Sequence, residues 1–334
     1  MPALAVAEAL RAEGADVVFI GGERAERELV PKAGYELRTL RVEPLARRRP
    51  LMALRAALVD AAAVAVAWRL LRAIRPDAVM GAGGYVAGPV GLAAVLQRIP
   101  LVLTEADSHL GMTNRLLAPF ARRVCLSFPL ARPRGLRYRV TGRPVPPVAS
   151  DRRAARERFG IAAGETCVLV FGGSQGARSI NRAAVEAFVG ARFRVLHAAG
   201  ERDLPDLEAP GPHYDLRGYI SSFGEALLAS DLVVSRAGGS IFEIAAHGRP
   251  AVLVPYPYAT SDHQSENARY MERAGAAIVI SDHELTAARL AQEVGRLLAD
   301  RSRLGAMARA SAEVARPEAA RDIAQELLAA TARS

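Results

Sequence analysis

Three times in this chain a short strand-like run stops at glycine and passes into a helix. The runs are Asp77 to Met80 before Gly81-Ala82-Gly83-Gly84, Cys167 to Phe171 before Gly172-Gly173-Ser174-Gln175-Gly176, and Leu232 to Val234 before Ser235-Arg236-Ala237-Gly238-Gly239. A glycine there lets the backbone turn sharply and approach a ligand with no Cβ in the way. A helix that follows aims backbone N–H groups and partial positive charge at the turn, which favours phosphate. Between the junctions, apolar runs and helical spacing alternate: Asp16 to Gly21, Glu36 to Val42, Leu101 to Thr104, Val124 to Ser127, Tyr138 to Thr141, Arg194 to Ala198 and Ala276 to Ile280 are the further strands. That alternation predicts an α/β protein with parallel sheets. At 334 residues the chain suits two domains. The proline-rich stretch Gly142-Arg143-Pro144-Val145-Pro146-Pro147 is the expected linker. Pro317 breaks the helical tail, so the last helix should change direction there.

The richest segment runs from Ser235 to Asn267. Ser240 is a good N-cap type for the helix carrying Ile241, Phe242 and Glu243. Glu243, one turn in, can accept from a vicinal diol such as ribose. Asp262, His263, Gln264 and Asn267 add amide and acid groups at the same expected sheet edge. An ordinary strand–turn–helix with Glu243 as a first-turn acid satisfies the same letters. Ile220, just past a strand end, is placed to flank a planar base. A second polar cluster, Glu105-Ala106-Asp107-Ser108-His109 through Asn114, follows the strand at Leu101. Polar residues at the carboxyl end of a strand mark a ligand crevice in such sheets.

The net charge of +9 admits an anionic membrane or a pyrophosphate substrate. It does not come with the basic–aromatic interleaving of a nucleic-acid binder, so no nucleic acid is expected. Arg47, Arg48 and Arg49 precede a helix over Leu45 to Ile74, whose Leu51, Leu54, Leu58, Val64 and Trp68 alternate with Arg55 and Arg69. A core helix with a solvated face explains its inner residues, and an interfacial patch on anionic lipid explains the arginines. Cys125 and Cys167 sit in apolar runs without metal-type spacing and read as core residues of a reducing compartment. No metal and no cofactor is implied, since no Asp-x-Asp pair stands out.

Four motifs taken in order, Gly83-Gly84-Tyr85-Val86-Ala87-Gly88-Pro89, Gly172-Gly173-Ser174-Gln175-Gly176-Ala177, Ser235-Arg236-Ala237-Gly238 and Asp262-His263-Gln264 with Asn267, resemble those of the MurG family, within glycosyltransferase family 28. The resemblance covers nearly the whole chain. It implies the GT-B fold, two Rossmann-like domains with parallel sheets facing across a cleft. Residues 1–143, joined by a returning helix over 317–334, would bind the acceptor and the membrane; residues 144–316 would bind the donor. It implies transfer of N-acetylglucosamine from UDP-N-acetylglucosamine to the 4-hydroxyl of an undecaprenyl-pyrophosphate-linked N-acetylmuramoyl-pentapeptide, in peptidoglycan synthesis. The enzyme would sit peripherally on the cytoplasmic face of the cell membrane. By position, Ser174 and Gln175 would face the donor and Ile220 would pack on uracil. Gly238, Gly239 and Ser240 would meet the pyrophosphate, Glu243 the ribose and Gln264 the sugar hydroxyls. Tyr85, Glu105 and Asn114 match motifs lining the acceptor cleft.

The chain also departs from the family. The segment Arg236 to Glu243 is one residue shorter. Arg143 stands near the place of a donor-binding arginine. Asp107 replaces an asparagine of the acceptor loop. The strand and Gly-x-Gly-Gly-His loop expected before Pro2 to Ala5 are not in the sequence, which leads to the expectation of a start upstream of Met1 and of weak activity in the chain as written. Deprotonating the acceptor hydroxyl then falls to Asp107 or His109. Two other readings fit the same letters: a related UDP-sugar transferase for a diacylglycerol or small metabolite, and a non-catalytic relic that binds nucleotide sugar or membrane.

Overall fold

A computed structural model describes residues 2–23, 25–42, 50–130, 135–173, 176–259 and 262–332, with backbone alone for 50–61. The arginine cluster 47–49, Ser174, Gln175 and the side chains of Leu51, Leu54, Arg55 and Leu58 lie outside the described residues. The chain divides into two compact units, Met1–Pro144 with Glu318–Ser334, and Val145–Pro317.

In the first unit the order is α1 (Pro2–Ala12), β1 (Val18–Gly21), α2 (Glu26–Lys32), β2 (Glu36–Thr39), α3 (Pro50–Ile74), β3 (Val79–Gly81), α4 (Gly84–Leu96), β4 (Leu101–Glu105), α5 (Met112–Leu117), β5 (Arg123–Leu126) and β6 (Tyr138–Val140). Strands β3, β4, β5 and β6 pair in that order, all parallel, while β1 and β2 form a parallel pair of their own. The sequence-based strand at Glu36 thus ends at Thr39, short of Val42. Leu101, Val102 and Leu103 of β4 are all buried, as a parallel strand covered on both faces requires. Leu101 and Leu103 face Ala93, Ala94 and Leu117 on one side of the sheet.

The second unit comprises α6 (Arg152–Arg158), β7 (Cys167–Phe171), α7 (Arg178–Ala187), β8 (Arg194–Ala198), β9 (Tyr214–Arg217), α8 (Phe223–Ala229), β10 (Leu232–Ser235), α9 (Ile241–Ala246), β11 (Ala251–Leu253), α10 (His263–Arg273), β12 (Ala277–Val279), α11 (Ala287–Ala299) and α12 (Arg301–Val314). Its six strands pair in the order β12, β11, β10, β7, β8, β9, every ladder parallel. Alternation along β7 sends Val168 and Val170 to one face, against Ile180 and Ala184 of α7 and Leu290 and Val294 of α11. Phe171 points the other way, its ring 4.8 Å from Phe223 at the start of α8. Helix ends are closed by short acceptors: Asp151 takes the amide of Ala154 at 2.9 Å, and Thr286 that of Arg289 at 3.1 Å.

Chain order sets where the turns fall. β7 is the first strand of its sheet, with β8 and β9 on one side and β10, β11 and β12 on the other. The strand order therefore reverses between β7 and β10, where open α/β sheets bind ligands beyond their carboxyl ends. Both glycine junctions of this unit, after Phe171 and after Ser235, leave the sheet at that point, with the two residues paired in register.

After Pro317 the chain re-enters the first unit as α13 (Ala319–Thr331). Ile323, Ala324 and Leu327 bury against Val6, Val102 and Cys125. Glu326, also buried, takes a hydrogen bond from Arg123 Nε at 2.7 Å and pairs with Arg139. Burial pushes the thiols of Cys125 and Cys167 up to about 12, as expected of inert core cysteines.

Candidate functional site

The polar edge of the second unit is assembled from four separate turns. Arg236 follows β10 directly and is 92% buried by its 8% exposure. Its guanidinium donates to the carbonyls of Val254 at 3.2 Å and Pro255 at 3.1 Å, both just past β11. It donates to Asp282 Oδ1 at 2.5 Å and to Ser179 Oγ at 2.8 Å, and that hydroxyl donates to the same carboxylate at 2.7 Å. The Tyr256 ring covers it, with 5.4 Å from guanidinium carbon to ring centroid. One buried cation thus ties the first turn of α7, the glycine turn after β10, the turn after β11 and the segment before α11.

Within that frame stand Gly238, Gly239 and Ser240, half-buried in the turn. Gln264 Oε1 accepts from the amide of Tyr256 at 2.9 Å. Its Nε2 lies 3.8 Å from where a Cβ on Gly238 would stand, so the amide rests over that turn. Asn267, 2% exposed, donates to the carbonyl of Ala237 at 3.0 Å and keeps a buried Oδ1 with no hydrogen-bond partner. Helix α10 therefore bonds the glycine turn through Asn267 and lays Gln264, one helical turn away, over it. Glu243 is half-buried in the first turn of α9, and its carbonyl accepts from His247 Nδ1 at 2.8 Å. Ile220 is buried just past β9 while the adjacent Tyr219 is exposed.

Ser240 does not cap. Its backbone is already right-handed helical (φ −64°, ψ −16°), and its side chain makes no capping hydrogen bond. An N-cap hydroxyl needs an extended backbone to reach the second or third amide, and this turn has none at that residue.

In the first unit the loop between β4 and α5 closes on Glu105. Its carboxylate accepts from the amides of Gly111 at 2.8 Å and Asp107 at 3.2 Å, and from Asn114 Nδ2 at 2.9 Å. Asn114 also donates to the carbonyl of Thr104 at 3.0 Å. Both residues are buried, so on this geometry they shape the loop. Asp107 is half-buried and His109 exposed on the same loop, and Tyr85 is exposed in the first turn of α4. Gly83, with φ +81°, makes the turn into α4 that a Cβ would strain. Arg143 lies half-buried after β6, in this unit.

Helices α4 and α5 pack together and leave Leu92, Leu96 and Leu116 exposed, with Phe120 exposed in the turn that follows α5. Val95, Arg98, Phe120 and Arg122 line one shallow recess beside them. Among the described residues no helix is long and apolar enough to cross a membrane. Nor do three His, Cys, Asp or Glu side chains gather as a metal site among them.

The sequence patterns of the glycosyltransferase family 28 N-terminal and C-terminal domains match residues 1–126 and 167–327. The chain belongs to glycosyltransferase family 28. The family 28 chain is 41% identical to the UDP-N-acetylglucosamine--N-acetylmuramyl-(pentapeptide) pyrophosphoryl-undecaprenol N-acetylglucosamine transferase of Moorella thermoacetica, covering 98% of this chain and 94% of the relative. It is 42% identical to the enzyme of the same name from Rubrobacter xylanophilus, covering 97% and 98%. The crystal structure of Acinetobacter baumannii MurG superposes with a TM-score of 0.81 at 29% identity, over 98% of this chain and 95% of that one. A calicheamicin glycosyltransferase, CalG4, shares the fold alone, with a TM-score of 0.71 at 19% identity and 98% and 94% covered. The family 28 enzyme thus has two Rossmann-like domains of the GT-B class.

Arg236 carries one sign of this role in sequence: it stands between a buried strand and a glycine turn, where an unpaired charge would be prohibitive.

Proposed function

We propose that this enzyme moves N-acetylglucosamine from UDP-N-acetylglucosamine to the 4-hydroxyl of undecaprenyl-pyrophosphoryl-N-acetylmuramoyl-pentapeptide. The observation that carries the reading is its near full-length similarity to enzymes bearing that name. The hydroxyl oxygen attacks the anomeric carbon, the bond from that carbon to the pyrophosphate breaks, and UDP leaves with inversion.

The 145–317 unit holds the donor in this reading. Gly238, Gly239 and Ser240 border the pyrophosphate, Glu243 takes the ribose hydroxyls and Gln264 the sugar hydroxyls. Gln264 is already fixed over Gly238, so it needs little ordering on binding. Ile220 flanks uracil, and Ser174 and Gln175, in the glycine segment that follows β7 in sequence, face the donor. The first unit supplies the acceptor contacts: Tyr85 directly, with Glu105 and Asn114 as the braces of the loop carrying Asp107 and His109. One of those two takes the proton from the attacking hydroxyl. Arg143 contributes charge to the leaving diphosphate.

The enzyme docks peripherally on anionic membrane through the exposed Leu92, Leu96, Leu116 and Phe120, with Arg98, Arg115 and Arg122 toward the headgroups. The net charge of +9 acts in the same direction.

The test is transfer from labelled UDP-N-acetylglucosamine to a lipid-linked N-acetylmuramoyl-pentapeptide, with diacylglycerol as rival acceptor. Label in a lipid-linked disaccharide-pentapeptide is the expected product. Transfer to diacylglycerol alone would overturn the acceptor assignment.

A further inference from the structure

Behind the glycine loop of the second unit lies a chain of buried polar groups that the roles above leave unused. His197 in β8 and Asn181 in α7 are fully buried, Asp203 is 2% exposed and Tyr214 in β9 is 4% exposed. Their hydrogens follow by elimination. Asn181 Nδ2 lies 2.8 Å from the carbonyl oxygen of Ala199 and 3.1 Å from Asp203 Oδ2, and both can only accept. Asn181 Oδ1 therefore faces His197 Nε2, at 3.0 Å, and that nitrogen must carry the proton. His197 Nδ1 is left as the acceptor for the Tyr214 hydroxyl, at 2.7 Å. Every hydrogen bond then runs one way, from Tyr214 through His197 and Asn181 to Asp203 and Ala199.

Two charge states support that order. Burial pushes His197 down to about 4, so the ring is neutral at pH 7. Arg202, donating to Asp203 Oδ1 at 2.9 Å, holds that carboxyl below its usual range.

The far end of the chain is where Gly176 sits. Gly176 has φ +73°, and a Cβ there would stand 2.3 Å from the Ala199 oxygen and 3.2 Å from Asp203 Oδ2. The two oxygens gathered by Asn181 are the two on which the loop exit rests. If His197 adopted the other tautomer, two acceptors would face each other at Nε2 and Oδ1. Turning the Asn181 amide to relieve that would aim its oxygen at the Asp203 carboxylate. The seat of Gly176 is thus defined only while the whole chain keeps its direction.

We infer that Tyr214, His197, Asn181 and Asp203 are positioning residues that fix Gly176 and the first turn of α7, and thereby set donor affinity. The step to donor affinity rests on the proposed placement of the UDP-sugar beside the glycine segment that follows β7. The step to loop geometry does not.

The test compares full-length wild type with His197→Leu, His197→Gln and Tyr214→Phe. Glutamine can still accept at one atom and donate at the other, whereas leucine can do neither. Hydrogen–deuterium exchange over residues 176–181 and calorimetric titration with UDP are the readouts, alongside thermal melting. His197→Leu is expected to speed exchange in that segment and to weaken UDP binding about tenfold, the equivalent of one hydrogen bond. His197→Gln should restore both, and Tyr214→Phe should fall between. A folded His197→Leu protein with wild-type exchange overturns the inference, even if its melting temperature falls. If the leucine variant does not fold, wild-type exchange in Tyr214→Phe overturns it. Faster exchange with unchanged UDP affinity overturns the link to the donor. Wild type that binds no UDP sinks the proposed function instead, and the exchange result still decides the loop.

Discussion

Arg236 and Asp282 meet at 2.5 Å across 46 residues of sequence, and Ser179 bonds to both. A guanidinium that also donates to Val254 and Pro255 uses both terminal nitrogens of its planar fork, which an ammonium cannot copy. Arg236→Lys is therefore expected to lose the carbonyl contacts, and Arg236→Ala to leave Asp282 facing a partly buried gap. Removing one partner of such a pair costs about 3 kcal/mol. Thermal and urea melts of both variants check this, and a melting point within error of wild type for Arg236→Ala would refute the role.

Glu243 is expected to anchor the donor ribose. Losing a pair of charge-assisted hydrogen bonds should cost roughly 2–3 kcal/mol of UDP binding. Calorimetry with Glu243→Ala tests the assignment, with uridine as a second ligand that keeps the ribose and lacks the diphosphate. Both affinities should fall together. If the folded variant binds uridine as wild type does, Glu243 has another task.

Asp107 and His109 share one loop, and the proposed chemistry needs a proton acceptor there. Asp107→Asn or His109→Gln, whichever removes the base, should lower kcat by about 10²–10⁴ with little change in UDP affinity. Wild-type kcat in both variants would exclude the loop as the source of the base.

The exposed apolar face of α4 and α5 should bind anionic vesicles. Each arginine near such a surface contributes about 1 kcal/mol. Replacing Arg98, Arg115 and Arg122 with serine should weaken sedimentation with anionic vesicles most at low salt. Replacing Leu116 and Phe120 with serine should weaken it at any salt, because apolar insertion is not screened. Sedimentation unchanged in both sets would leave that face without a membrane role.

Local rules made much of this legible from sequence. Cys167–Phe171 is apolar throughout, bounded by Thr166 and Gly172, and becomes a fully buried central strand. Pro317 separates α12 from α13 because a proline cannot continue the helix before it. Gln264 rests over Gly238, and both stand in the one segment from Ser235 to Asn267. Serine is a favoured N-cap type, but its identity says nothing about the backbone angle that Ser240 adopts. Arg236 needed Asp282 and Ser179, which are 46 and 57 residues away. Glu105 and Asn114 show the same limit: each looks like a free polar group in sequence, and they bond to each other at 2.9 Å.

Glu326 is one carboxyl whose protonation should weaken the first unit. Its burial alone would raise its pKa, but the hydrogen bonds and charges of Arg123 and Arg139 outweigh that and lower it. A carboxyl whose folded-state pKa lies below its unfolded value contributes stability above the unfolded range, near pH 4.3 for an ordinary glutamate as an approximate reference. That contribution is lost as pH falls through the folded value, when protonation would break the bond from Arg123 and the pair with Arg139. Glu326→Gln should therefore melt below wild type at pH 7, and the gap should close as the pH drops below about 4. Melting curves from pH 3 to pH 8, followed by a probe within the first unit, make the comparison. A gap that stays constant with pH would mean that packing of α13, and not the ion pair, sets the difference.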